Sequence, residues 1–130
     1  MPSNSSIVGT WRLRTFEVWT PEGKVTTPLG SAPIGYAIFD DSGRAFIQIS
    51  QAPDATVKAS AETQAAQAAS FLAYFGVYTV NALDSTLSIK VEGSNLAAYV
   101  GSTQARSFTV NEGTLTMGQP GKYRAVAVRV

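Results

Sequence analysis

The chain contains no cysteine and no histidine. Without cysteine there are no disulfides and no thiolate nucleophile. With histidine gone as well, the usual protein ligands for zinc, copper and haem are missing, and so is the commonest general base at neutral pH. Neither a Ser-His-Asp nor a Cys-His machine can be assembled, and no metal site is expected. Charge is scarce too: acidic and basic residues make up 15% of the chain and the net charge is +1. That balance supplies no field to gather nucleic acid or an anionic membrane surface. No apolar run reaches the ~18 residues of a membrane-spanning helix. The N-terminal MPSNSS has no basic segment leading into an apolar one, so no secretion signal is expected and a cytoplasmic location is the default. No GxGxxG follows a strand and no GxxxxGKS/T occurs, so no nucleotide cofactor is expected either.

What is present fits one compact all-β domain over residues 1–130, with residues 1–6 expected to be flexible. The chain of 130 residues is 45% hydrophobic, with 11 Gly and 6 Pro to punctuate it. Period-two alternation predicts strands over Val8–Trp19, Tyr36–Phe39 and Arg44–Ser50, with a short one near Val25. Asp40-Asp41-Ser42-Gly43 is a strong hairpin turn. Later strands are predicted over Val77–Asn81, Thr86–Glu92, Ser102–Val110, Thr114–Met117 and Tyr123–Val130. Short turns between them favour an antiparallel meander. Residues Gln51–Ala59 read as irregular. Between them and the later strands, Ala61–Phe75 carries the one helical pattern, with Ser60 as N-cap, Glu62 in the first turn and Gly76 as its end. Ala65, Ala68, Phe71, Leu72 and Phe75 fall on one side of it. About eight strands with one inserted α-helix fit a small closed barrel.

Ile7–Glu17 reads IVGTWRLRTFE, which places a Gly-x-Trp at the start of the first strand. An arginine, Arg129, sits in the closing VAVRV. This arrangement resembles lipocalins, in which the tryptophan plugs one end of a ligand-holding barrel and a C-terminal arginine packs across it. Further blocks follow in order: PLG, GYAIFDDSGRAFIQI, FLAYFGVYTV and VEGSNLAAYVGSTQARSF. Together they make the chain similar to the bacterial and fungal lipocalin-like domain family over nearly its whole length. In that family the strand before the VEGS block often carries histidines. Here Ile89 and Lys90 occupy it, so no role resting on those histidines transfers. The resemblance implies a barrel and a pocket, with no shared reaction. Some members lie among natural-product biosynthesis proteins, and related barrels include cyclases.

Most carboxylates read as turn formers, caps or solvated charges: Glu22, Asp40, Asp41, Asp54, Asp84 and Glu112 in turns and loops, Glu62 at the helix start. Alternation over Thr103–Val110 is more telling. It puts Gln104, Arg106, Phe108 and Val110 on the interior face. A buried guanidinium needs a carboxylate, carbonyl groups, water or a polar ligand. Arg106 therefore either meets a ligand, reaches solvent at the barrel mouth, or completes a structural ion pair. Glu92 alternates outward with Lys90, unless a bulge at Gly93 turns it towards Arg106. On the first strand Trp11, Leu13, Thr15 and Glu17 share a face. Tyr36, Tyr78 and Tyr99 offer hydroxyls on apolar bodies, suited to core, rim or an oriented apolar pocket.

These residues define the expected site: Arg106, Gln104, Glu92 and Tyr78 as candidate catalytic groups, and Tyr36, Phe108, Tyr99 and Thr15 as ligand contacts. The expected partner is a hydrophobic, partly oxygenated small molecule, not nucleic acid or membrane, and a homodimer stays open. The favoured function is a cofactor-independent cyclase or isomerase, in which the cavity folds a flexible natural-product intermediate and Gln104, Arg106 or a tyrosine polarises a carbonyl. The alternatives are a non-catalytic carrier or sensor of a similar molecule, and an interaction module whose barrel is filled by side chains.

Overall fold

Alternating apolar residues and tight turns fold this chain into a run of antiparallel hairpins. The computed structural model describes residues 6–52, 60–62, 64–65 and 70–130. Its strands are β1 (Gly9–Trp19), β2 (Val25–Thr26), β3 (Ile34–Phe39), β4 (Arg44–Ser50), β5 (Phe71–Asn81), β6 (Thr86–Ser94), β7 (Thr103–Asn111), β8 (Thr114–Gln119) and β9 (Tyr123–Arg129). From β3 to β9 each strand pairs with the next. The first strand closes the circle, pairing with β3 from Gly9↔Phe39 to Arg12↔Tyr36 and with β9 from Trp11↔Arg129 to Val18↔Tyr123. The result is a closed antiparallel barrel of eight strands, with β2 added beside the last residues of β1. Closure leaves no long unpaired edge among these eight. Among the described residues no helix is long and apolar enough to cross a membrane.

One end of the barrel is solid. Ile7, Trp11 and Phe39 are completely buried there. The Trp11 indole N–H donates to the Ile7 carbonyl at 2.8 Å. The Arg129 guanidinium lies 4.2 Å from the centre of the Trp11 ring and donates to the carbonyls of Val8 and Ser6 at 2.8 and 2.9 Å. The tryptophan plug and its arginine cover are thus both present.

Three departures from the sequence expectation have local causes. The helix over Ala61–Phe75 is not supported. Phe71–Phe75 instead opens β5, held between β4 and β6. Its first backbone groups are satisfied from the far side of a bulge. The Ala73 N–H donates to Asn95 Oδ1, Asn95 Nδ2 donates to the Phe71 carbonyl, and the Ser94 hydroxyl donates to the Ala73 carbonyl. Upstream, Ala61, Glu62, Gln64 and Ala65 have helical conformation, while Ala68 and most of the irregular stretch, with Asp54, lie outside the described residues.

The second departure is in β1, whose register to β9 shifts between Leu13 and Thr15. That bulge at Arg14 inverts the alternation. Phe16 and Val18 now take the interior face, while Thr15 is exposed and Glu17 pairs outside with Arg124 at 2.7 Å. The third is in β6, where Phe75 pairs with Gly93 but Gly76 pairs with Val91. Glu92 is the extra residue of this bulge and points to solvent. A bulge does occur here, and it leaves Glu92 on the outside.

Candidate functional site

The other end of the barrel is hollow. A cavity of about 670 Å³ opens between the end of β1, the β8–β9 turn and the β4–β5 side. It exists because several inward positions around it carry alanine. Ala37 on β3 and Ala125 and Ala127 on β9 leave room that Phe16, Ile47, Ile49, Leu72, Leu115 and Met117 only partly fill. Such a volume suits a drug-sized molecule.

The polar part of the wall comes from β7 and its neighbours. Arg106 lines the cavity and is 6% exposed. One guanidinium N–H donates to Gln104 Oε1 at 2.8 Å and another to the Ala105 carbonyl at 2.9 Å. Its carbon sits 5.1 Å from the centre of the Tyr123 ring. Gln104 is held in turn, because its Nε2 donates to the Ser102 hydroxyl at 2.7 Å and that hydroxyl donates to the Tyr99 carbonyl. This chain of bonds presents the amide oxygen to Arg106. Tyr74 and Tyr99 complete the polar wall, their ring centres 5.4 Å apart. Burial raises the Tyr74 phenol to about 12, against a smaller lowering by the nearby Arg106 charge and its hydrogen bond. At neutral pH Tyr74 is therefore a neutral hydroxyl.

Of the residues expected from sequence, Arg106, Gln104 and Tyr99 come together in this wall. Tyr36 borders the cavity, but it has the outward register of β3 and is 45% exposed. The other four lie elsewhere. Tyr78 is buried towards the plugged end, where its hydroxyl donates to the Asp40 carbonyl at 2.7 Å and its ring meets Phe39 edge-on. It ties β5 to the β3–β4 turn. Phe108 points inward as alternation requires, but it packs in the core and against a smaller outer groove. Thr15 is turned out by the bulge at Arg14, and Glu92 stays outside, on the face of Lys90, despite the bulge beside it. Sequence reasoning missed Tyr74, Tyr123 and the alanines of β9. The alternation of Tyr123, Ala125 and Ala127 against Arg124, Val126 and Val128 was the signal for the last group, because small inward residues mark empty space.

Among the described residues the cavity wall includes two cations, Arg106 and, at the mouth, the exposed Lys122, and no carboxylate. The wall can therefore donate hydrogen bonds and stabilise negative charge, but it offers no carboxylate to take a proton. A family model described as a lipocalin-like domain matches residues 8–127. No curated protein matches the chain at a significant level.

Proposed function

The chain belongs to the lipocalin-like domain family, and from that premise we propose that its barrel binds a hydrophobic, partly oxygenated small molecule. The observation that carries this reading is the cavity itself: an apolar chamber with one polar wall, open at one end and plugged at the other. Burial of an apolar body supplies affinity, and the few polar groups orient it. The filled-barrel alternative loses its support, because side chains do not fill the chamber. Native mass spectrometry of the purified protein tests the proposal. A stoichiometric small molecule that leaves on denaturation is expected, and an empty protein that takes up no apolar probe counts against it.

A second reading has a specific observation in its favour. Arg106 and the Tyr74 hydroxyl are preorganised donors in a water-poor wall, the arrangement that polarises a carbonyl in a transition state. It supports a cofactor-independent cyclase that folds and activates its substrate. An isomerase that must first remove a proton finds less support, since among the described residues no carboxylate lines the wall and the chain has no histidine. Incubating the copurified molecule with fresh protein and looking for conversion separates catalyst from carrier.

A further inference from the structure

Arg106 is a permanent cation with almost no access to water, and nothing in the described structure neutralises it. Its hydrogen-bond acceptors, Gln104 Oε1 and the Ala105 carbonyl, are neutral oxygens. The phenol of Tyr74 stays protonated at neutral pH, so it does not supply a counter-charge. Glu17 is engaged outside the barrel by Arg124, and Glu92 stands on the outer face of its bulge. Neutral dipoles partly replace the lost hydration, yet a buried charge of this kind is stable only at a cost of several kcal/mol unless an opposite charge joins it. The bonds to Gln104 and Ala105 use two of the five N–H donors of the guanidinium, and the Tyr74 hydroxyl is a further neutral partner.

We infer that the ligand is an organic monoanion, a carboxylic acid or similarly acidic enol bound as its conjugate base. Its charged oxygens meet Arg106, and its apolar body fills the chamber towards Trp19 and Tyr123. This rests on the ligand-binding reading above and narrows it. A single buried cation selects one negative charge. A dianion such as a phosphate monoester would leave a second charge against Leu115, Met117 and the alanines. Lys122 lies exposed at the mouth, where water and salt screen it, so it attracts the anion without fixing it. Gln104 is a positioning residue, since both ends of its amide are already engaged.

The test titrates the full chain calorimetrically with matched acid and amide probes on three bodies: decanoate and decanamide, naphthoate and naphthamide, biphenylcarboxylate and biphenylcarboxamide. For at least one body the acid is expected to bind about tenfold tighter or more, the scale of one charge-assisted hydrogen bond. Arg106→Met should remove that preference while leaving amide binding nearly unchanged. Arg106→Lys, which keeps the charge, should retain part of it, and Lys122→Met should leave it in place. Melting curves of each variant show that the barrel is intact. Equal binding of acid and amide, or a preference that survives Arg106→Met or disappears with Lys122→Met, overturns the inference while the ligand-binding reading stands. If no probe binds, the copurified molecule decides: an acid supports the inference and a neutral compound overturns it. An empty protein that binds none of the six probes defeats the ligand-binding reading itself.

Discussion

Two arginines lie over aromatic rings at opposite ends of the same barrel, and they do opposite things. Arg129 is exposed, and it covers Trp11 and donates to the carbonyls of Val8 and Ser6, closing the plugged end. Arg106 is buried near Tyr123, bonded to neutral oxygens, with an open chamber beside it. Both ends are built from the same antiparallel strands. The difference lies in the size of the inward residues: Ile7, Trp11 and Phe39 fill the plugged end, while Ala125 and Ala127 leave room in the cavity wall. A few side-chain volumes therefore decide where the barrel is core and where it is a binding site.

Breaking the plug should have the largest effect. Trp11→Ala is expected to lower stability by roughly 3–5 kcal/mol, as large aromatic truncations in cores do. It would also leave the Ile7 carbonyl and the Arg129 guanidinium without the indole. Chemical denaturation checks this, and an unchanged unfolding midpoint with lost ligand binding would instead make Trp11 part of the site. Arg129→Met comes next, at about 1–3 kcal/mol for one cation–π contact and two charge-assisted bonds on a partly wet surface. Ligand affinity should stay nearly constant in Arg129→Met, because the cavity lies at the other end.

Converting the open end into a second plugged end sharpens the comparison from the other direction. Ala125 faces inward between Phe16 and Met117, and Ala125→Leu places three more carbons in the chamber. Cavity filling of this kind is expected to leave stability unchanged or raise it by about 0.5–2 kcal/mol. Apolar probe binding should weaken at the same time. A destabilised variant with unimpaired binding would mean that Ala125 is already tightly packed and the chamber lies elsewhere.

The parts of the molecule that sequence revealed and those it hid differ in a simple physical respect. On β7 no extra residue interrupts the period of two, so Gln104, Arg106, Phe108 and Val110 fall on the inward face that Phe108 and Val110 mark. On β1 and β6 an extra residue breaks the pattern. The bulge at Arg14 moves Thr15 out and Phe16 in, and nothing in TWRLRTFEV marks which residue is extra. Its position depends on the pairing with β9, a partner more than a hundred residues away. On β5 the difficulty is different. FLAYFGVYTV is apolar on both faces, because Phe75 stacks with Phe46 outside while Tyr74 faces the cavity. With no polar face to set a period, the alanine-rich run upstream extended a helical reading over a strand. Tyr74, one of the four polar groups of the wall, was hidden for that reason.

The smallest expected effect is on acid sensitivity, and it belongs to the plugged end. In the β3–β4 turn the Asp40 carboxylate accepts hydrogen bonds from the N–H groups of Arg44 and Ser42 at 2.8 and 3.0 Å, and from the Ser42 hydroxyl at 2.8 Å. These bonds, the one from Arg44 foremost, hold its pKa below the ordinary 3.8. A carboxylate with a lowered pKa in the folded state stabilises the fold fully above its unfolded value. The contribution disappears as the pH falls through the folded one. The group is exposed, so solvent keeps the contribution small. Asp40→Asn keeps the turn's acceptor and removes only its charge. The variant should melt slightly below the wild type at neutral pH, and the gap should narrow as the pH falls below about 3.8, the usual aspartate value, and close once it passes the lowered folded value. Melting curves across that range check the sign. A gap that persists or widens in acid would show that the turn is held by the shape of the side chain rather than by its charge.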